Sequence, residues 1–258
     1  MGAPRIGASG LAFLAAALAA AAIPGAARAV EPVDPKQTFL QPNTEDADGT
    51  PAYVRFDMTD MPLRVSVSMP REAARYASLA ATREAVLEGL QLWQRALQTE
   101  LPWFQLQIGE NDPQALIEVI WRRQLAGVAA GRGGISWKLE QGKLRVRGSL
   151  EYTTQTCEAP ECRLKAQEVT LLVAHEFGHT LGLLHCLSCD SIMNYSWETQ
   201  QRRFVTELDV RTYRALNQLP NGLRTDMKRI GELAGEAAVL NARSRGLAAE
   251  CEKNLIRG

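Results

Sequence analysis

The sequence has only three histidines in 258 residues, a formal net charge of zero, no internal repeat and no long low-complexity tract. Without an excess of positive charge, nothing in the composition favours binding to nucleic acid or to an anionic membrane surface. The lack of biased tracts, with 46% hydrophobic and 22% charged residues, argues against a disordered or fibrous chain and for an ordinary soluble globular protein. We therefore predict no nucleic-acid partner.

Long apolar runs are also scarce, and the most prominent one is Leu11 to Ile23. A basic residue precedes the run, Pro24 ends it, and Ala27-Arg28-Ala29 has the small-x-small pattern of a cleavage site, which indicates a secretory signal peptide. The alternative is a membrane anchor, which needs about 20 apolar residues, and this run is well short of that length. We expect cleavage after Ala29 and export of the remaining chain to a periplasm or the extracellular space, with no membrane attachment afterwards.

The pattern of the chain after the leader predicts a sheet. Residues 30–62 lack sustained periodicity, so we expect an extended N-terminal segment. Alternating apolar and polar residues predict a strand at Leu63–Met69, and further strands are predicted at Phe104–Ile108, Leu116–Trp121, Ile135–Leu139 and Leu144–Tyr152. Gly131, Gly133 and Gly134 are predicted to form a flexible rim rather than a phosphate-binding loop, because no Lys-Ser/Thr pair follows them.

Helical spacing of apolar residues predicts three main helices. They run from about Arg71 to Gln98, from about Arg163 to Gly182, and from the N-cap Thr206 to a stop at Pro220. The second helix is apolar on most sides and should be the buried central helix. Leu223 to Leu247 predicts a C-terminal helical extension over residues 220–258, which either packs on the domain or binds a partner. This order of elements implies one twisted mixed sheet with helices against it.

All three histidines of the chain fall in one motif on the second helix. His175 and His179 lie one helical turn apart, so their imidazoles can bind the same metal ion. Glu176 leaves the helix at an angle from which it can reach a metal-bound water more easily than the metal. Gly182 can adopt the left-handed conformation that ends a helix, so that His185 can approach the same ion. Three imidazoles and one open position are typical of a catalytic zinc site.

The stretch from His175 to His185 resembles the long zinc-binding signature of the metzincin metallopeptidases. Ser191 to Tyr195 is similar to the Met-turn of that clan, in which a methionine, here Met193, lies beneath the metal. Phe204 to Asp209, leading into the third helix, resembles matrixin-like catalytic domains. The resemblance covers about residues 63–219. It implies an α+β fold with a twisted mixed five-stranded sheet and three main helices, and a zinc-dependent endopeptidase activity.

Some features of matrixins are missing from this sequence. Cys186 follows the third histidine, where matrixins usually have serine. Animal matrixins carry a second, structural zinc, for which no histidine remains here. No aspartate lies between Asp112 and Asp190, so calcium sites in that region have little support. No cysteine precedes Cys157, so the cysteine-switch propeptide of matrixins is also missing. We expect one catalytic zinc ion as the cofactor.

The resemblance implies that Glu176 is the general base for a zinc-activated water and then the acid toward the leaving amine. A peptide or protein substrate would pair with the edge strand of the sheet, which we place near Gly134 to Leu139. Residues Tyr195 to Phe204 would form the wall of the pocket for the substrate residue that follows the cleaved bond. Tyr195 stands where astacin-like and serralysin-like metzincins place a tyrosine near zinc, so it either donates a hydrogen bond to the oxyanion or packs in that wall.

Two other functions are compatible with parts of the sequence. A catalytically silent zinc-binding or adhesion protein on the same fold would have no need of the base Glu176. A thiol–disulfide protein would use the pair Cys186 and Cys189, but this pair does not open a helix after a strand as it would in a thioredoxin-like unit. A peptidase assay with and without chelator distinguishes the three functions.

Export also determines how the five cysteines are interpreted, because clustered thiols in an oxidising compartment usually form disulfides. We predict the pairs Cys157–Cys162 and Cys186–Cys189, with Cys251 left over. Crossed pairing between the two clusters is the alternative. Peptide mapping under non-reducing conditions identifies the linked pairs, and the recovery of all four clustered cysteines as free thiols would contradict both arrangements.

Overall fold

A computed structural model of the chain describes residues 32–46, 48–69, 79–122, 125, 130–141, 143–153, 165–186, 189–194 and 204–224. The predicted signal peptide, the first cysteine pair, Tyr195 and residues 225–258 lie outside these ranges. None of the helices within them has the length and hydrophobicity that crossing a membrane requires.

The described ranges contain three α-helices and eight β-strands. The helices are α1 (Leu79–Glu100), α2 (Ala166–Thr180) and α3 (Glu207–Gln218). The strands are β1 (Thr44–Glu45), β2 (Pro51–Tyr53), β3 (Leu63–Val67), β4 (Leu106–Gly109), β5 (Ile117–Arg122), β6 (Gly131–Glu140), β7 (Lys143–Thr153) and β8 (Leu223–Arg224). The N-cap predicted for the third helix is confirmed, because Thr206 and Asp209 form a capping box at the start of α3.

Five strands form the main sheet, in the order β4-β3-β5-β7-β6. Strand β3 runs parallel to β4 and β5, and β5 runs parallel to β7. Strand β6 is antiparallel to β7 and lies at the edge of the sheet. The prediction of a mixed five-stranded sheet with three main helices in an α+β fold is therefore confirmed, and the edge strand is the one that contains residues 134–139.

Helix α1 packs against α2 through side chains that are three and four residues apart. Four of them are completely buried: Val86, Leu90, Trp93 and Leu97. The indole N–H of Trp93 donates a hydrogen bond of 2.6 Å to the carbonyl oxygen of Ala174 in α2. At Gly89 the helices approach so closely that a Cβ atom would lie 2.7 Å from the carbonyl oxygen of Thr170. This close packing holds α2 in the interior of the domain.

The strand expected to reach Met69 ends at Val67, the strand expected from Phe104 begins at Leu106, and two further boundaries are wrong in a way that changes the packing. The strand expected to begin at Ile135 begins at Gly131, because the glycine-rich stretch packs directly against α2 instead of forming a rim. The helix expected from Leu223 does not begin there, because Leu223 and Arg224 pair with β2 as strand β8. An ion pair between Arg224 and Asp48 supports this pairing. The remainder of the predicted C-terminal extension lies outside the described residues.

The N-terminal segment belongs to the same core as the main sheet. Its strands β1 and β2 form a second, three-stranded sheet with β8. Its buried apolar side chains are Phe39, Leu40, Ala52, Tyr53, Val54 and Phe56. The buried guanidinium of Arg55 donates hydrogen bonds to the carbonyl oxygens of Leu216 and Leu219, near the end of α3, where helical carbonyls lack partners within the helix. The segment is thereby attached to α3.

Candidate metal centre

Three imidazoles meet at one point in the described structure. His175 and His179 project from α2 one turn apart, and His185 approaches them from the loop that follows the helix. The Nε2 atom of His179 is 3.2 Å from that of His175 and 3.0 Å from that of His185, and the third Nε2 pair is 3.1 Å apart. The structure therefore brings together all three histidines that the motif singled out.

The end of α2 explains how His185 returns to the helix. Gly182 has a φ of 97°, a conformation that glycine adopts without steric cost. The N–H of Gly182 donates to the carbonyl oxygen of His179, and the N–H of Leu183 donates to that of Gly178, each at 2.9 Å. These two bonds form a Schellman motif, which closes the helix and turns the chain toward the other two histidines.

Backbone carbonyls determine the tautomers of the two helical histidines. The Nδ1 atom of His175 is 2.7 Å from the carbonyl oxygen of Ile192, and that of His179 is 2.8 Å from the carbonyl oxygen of Leu183. A carbonyl oxygen can only accept, so each Nδ1 carries the hydrogen and each Nε2 presents a lone pair. Burial lowers the pKa of all three imidazoles and brings the pKa of His185 to about 3, so the neutral form prevails at neutral pH.

The arrangement of these nitrogen atoms fits a zinc ion. Two lone pairs that face each other at 3.2 Å repel, and a cation between them relieves the repulsion. Tetrahedral zinc with Zn–N bonds of about 2.0–2.1 Å separates its nitrogen ligands by roughly 3.3 Å, close to the separations observed here. Among the described residues, the group of side chains able to hold an ion consists of these three histidines, and Glu176 is not a member of it.

Glu176 lies beside the imidazoles, and only 7% of its surface is exposed. Its Oε2 atom accepts a hydrogen bond of 2.5 Å from the N–H of Gly133 in the edge strand β6. Burial raises the pKa of this carboxyl to about 7, while the Gly133 N–H and the charge of Arg132 act in the opposite direction. Such a carboxyl can exchange a proton near neutral pH, and a divalent cation nearby would favour its ionised form.

The contact between β6 and α2 requires a glycine at residue 133. A Cβ atom there would overlap the carbonyl group of Glu176 and lie 2.9 Å from the Cβ of His179. At Gly134 the space is open, since the nearest atom to such a Cβ would be Ser149 Oγ at 3.9 Å. No local feature of the sequence distinguishes these two glycines, so the role of Gly133 could not be predicted from the sequence.

A completely buried methionine supports α2 close to the histidines. Met193 contacts α2 at Gly178, where a Cβ atom would overlap the methionine sulfur. The carbonyl oxygen of Met193 accepts a hydrogen bond of 2.9 Å from the N–H of Cys186. The segment that contains Met193 is thereby joined to the chain directly after His185.

The carboxylate of Asp209 attaches this methionine segment to α3. It accepts hydrogen bonds from Ser191 Oγ, from the N–H of Ile192 at 3.1 Å and from the hydroxyl of Thr206 at 2.6 Å. Burial raises the pKa of the carboxyl above its ordinary value, and these donors oppose that effect. Ile192 in turn accepts the hydrogen bond from His175. The sequence pattern predicts the cap of α3 but not this second role of Asp209, because the role depends on contacts with residues distant in the chain.

The remaining predicted site residues are only partly within the described ranges. A disulfide joins Cys186 and Cys189 in the loop after His185. Cys157 and Cys162 lie outside the described residues, and so does Tyr195. The arginines at 202 and 203, in the predicted wall of the substrate pocket, are outside them as well.

Comparisons with known proteins address the same region of the chain. The family model described as Matrixin (peptidase M10) matches residues 66–219, which is more than half of the chain. The matched range contains the three histidines, the methionine segment and α3. No curated protein matches the sequence.

The steric difference between the two neighbouring glycines generates a prediction. Gly133→Ala should force β6 away from α2, and overpacking of this kind costs about 1–3 kcal/mol, or a decrease in Tm of roughly 3 °C or more. Gly134→Ala is the matched control and should leave Tm nearly unchanged, because its methyl group enters open space. Thermal unfolding followed by circular dichroism provides the measurement, and equal Tm values for the two variants would contradict the proposed packing.

Proposed function

Since the chain belongs to the matrixin family, we propose that it is an exported zinc-dependent endopeptidase in which Glu176 is the general base. Matrixins are zinc metallopeptidases, so the class of reaction is hydrolysis of peptide bonds in peptides or proteins. The observation that carries the proposal is the convergence of three Nε2 atoms beside a buried carboxylate that is not part of the ligand group. His175, His179 and His185 would hold a single zinc ion.

Zinc bound by these histidines supplies a Lewis acid that lowers the pKa of water and stabilises negative charge on the carbonyl oxygen under attack. The chain contributes preorganised ligands. The hydrogen bonds from His175 and His179 to backbone carbonyls orient both rings and increase the basicity of their Nε2 atoms. The low pKa of His185 keeps that imidazole neutral, and a neutral imidazole is the form that binds metal.

Glu176 moves the proton in the proposed mechanism. The Gly133 N–H holds its Oε2 atom, and we assign the other carboxylate oxygen to the proton of the attacking water. Glu176 then gives this proton to the nitrogen of the leaving amine, so that one carboxyl serves as base and acid in turn. Its burial supports this role, because desolvation raises the pKa of the carboxyl and so makes it a better acceptor for the water proton.

The edge strand β6 is the proposed binding surface for an extended substrate. In an antiparallel pair, alternate residues direct their polar backbone groups toward the partner strand. Because the N–H of Gly133 donates to Glu176 rather than to β7, Ile135 and Trp137 should direct their backbone groups to the open edge as well. A substrate strand paired there would pass beside Glu176, which matches the β-augmentation mode of peptide recognition.

The proposal also divides the whole chain into segments, some of which lie outside the described ranges. We assign residues 1–29 to a signal peptide, 30–62 to an N-terminal segment, 63–219 to the catalytic domain and 220–258 to a C-terminal extension. The wall of the substrate pocket would run from Tyr195 to Phe204. Phe204 is 51% exposed, and an exposed aromatic side chain at the end of that segment suits an apolar substrate pocket.

Two substitutions, one at the proposed base Glu176 and one at the proposed ligand His179, test the mechanism. Glu176→Gln should keep about one equivalent of zinc and should lower the peptidase rate by about 10²–10⁴, because the proton acceptor is lost. His179→Ala should be inactive with depleted zinc, because one of three ligands is gone. Glu168→Gln, on the same helix, is the matched control and should change neither property. Metal analysis and peptide hydrolysis with and without chelator measure both, and wild-type cleavage by Glu176→Gln would show that the mechanism is wrong.

The role of Tyr195 has its own test. We propose that its hydroxyl donates a hydrogen bond to the oxyanion in the transition state. Tyr195→Phe should then lower kcat with little change in KM, because the interaction is made only in the transition state. An unchanged kcat would leave Tyr195 with a packing role in the pocket wall.

A further inference from the structure

One peptide unit connects the end of α2 to the segment that carries the third histidine. It joins the carbonyl of Gly182 to the N–H of Leu183. The N–H of Leu183 donates to the carbonyl oxygen of Gly178 in α2 at 2.9 Å. The carbonyl oxygen of Gly182 accepts a hydrogen bond of 2.9 Å from the side-chain amide of Asn43. Both polar groups of this peptide are therefore held, one by α2 and one by the N-terminal segment.

The amide of Asn43 is itself held in one orientation. Its Nδ2 atom also donates to the carbonyl oxygen of Val54 at 2.6 Å, and its Oδ1 atom accepts from the N–H of Val54 at 2.9 Å. The two hydrogens of Nδ2 thus bind two carbonyls, and the oxygen binds a donor, which fixes the assignment of oxygen and nitrogen. Val54 is completely buried, so the amide is anchored to a rigid part of the core.

Two ligand positions depend on the peptide that Asn43 holds. The carbonyl of Leu183 accepts the hydrogen bond from His179 Nδ1 and so orients that ring. His185 follows Leu183 by two residues, so rotation of the Gly182–Leu183 peptide would displace its imidazole. The packing is also close, because a Cβ atom on Gly182 would overlap the Asn43 amide and lie 2.9 Å from the Val54 carbonyl oxygen.

We propose that Asn43 is a positioning residue of the zinc site, which holds the Gly182–Leu183 peptide so that His179 and His185 present their Nε2 atoms to the same ion. This role rests on the proposed function, since it assumes that the three histidines bind zinc. Asn43 lies outside the range 66–219 that the matrixin model matches. The N-terminal segment thus binds the metal loop, by which we mean residues 182–185, through the hydrogen bond from Asn43 to Gly182.

The structure contains a matched control for Asn43. The side chain of Asn221 binds the backbone of Arg55 in the same manner, accepting from its N–H at 3.1 Å and donating to its carbonyl oxygen at 2.9 Å. Asn43 and Asn221 therefore anchor two consecutive residues of the N-terminal segment. Asn43 additionally donates to Gly182 in the metal loop.

The test compares zinc binding with stability in three variants of the full chain. Asn43→Ala removes the whole amide, whereas Asn43→Asp keeps an acceptor for the N–H of Val54 and removes the donor to the carbonyl oxygens of Gly182 and Val54. Both should raise the zinc dissociation constant, measured by competition with a chromophoric chelator, by about tenfold, as losses of supporting hydrogen bonds around metal ligands do. Asn221→Ala should lower Tm in excess chelator while keeping the zinc dissociation constant within about twofold of wild type.

A second readout reports the ligand geometry directly. The absorption spectrum of the Co²⁺-loaded protein should change in Asn43→Asp and should match wild type in Asn221→Ala, because only the first variant alters the loop that carries the ligands. A role confined to stability would leave this spectrum unchanged in every folded variant.

Several results would overturn the proposal. Wild-type zinc affinity in both Asn43 variants would remove the positioning role and leave the proposed function standing. Equal losses of zinc affinity in the Asn43 and Asn221 variants would assign the effect to general destabilisation. Failure of both Asn43 variants to fold, with Asn221→Ala folded, would assign Asn43 to the fold alone. A wild-type protein that binds no zinc would instead overturn the proposed function itself, and this inference with it.

Discussion

The termination of α2 is the constraint on which the arrangement of the site depends. Two histidines on one helix can meet at a point, but the third has to come from chain that has left the helix. The φ of 97° at Gly182 allows this departure, and the hydrogen bond from Leu183 to Gly178 sets its direction. The same turn places the carbonyl of Leu183 against His179, so one helix end both delivers His185 and orients a ring already in place.

Several elements of the fold provide the hydrogen bonds that hold the buried, neutral imidazoles in place. His175 binds the carbonyl of Ile192, whose own N–H is bound by the carboxylate of Asp209 at the start of α3. His179 binds the loop after α2, and that loop is bound by the N-terminal segment. The three histidines themselves occupy a short stretch of sequence, but the carbonyls that orient two of them depend on α3 and on the N-terminal segment. Such preorganisation would lower the entropy lost on binding of the proposed zinc ion.

The difference between local and distant contacts also explains what could be predicted from the sequence. The histidine motif, the helical spacing of α1 and the cap of α3 depend on residues a few positions apart, and the structure contains each of them. The start of β6 at Gly131 and the pairing of Leu223 with β2 depend on elements far away in the chain, and both predictions were wrong. Asn43 is 139 residues from Gly182, and no pattern near either residue indicates their contact.

The extent of the folded unit follows from the same contacts. The matrixin match begins at residue 66, in the middle of β3, whereas the core already includes the buried residues Val54 and Phe56. A chain that began at residue 66 would expose the apolar surface that these side chains cover and would leave the carbonyl of Gly182 without its donor Asn43. It would also remove Arg55 from the carbonyl groups near the end of α3. The N-terminal segment therefore contributes hydrogen bonds to the loop that carries His185 and to the end of α3, as well as apolar side chains to the core.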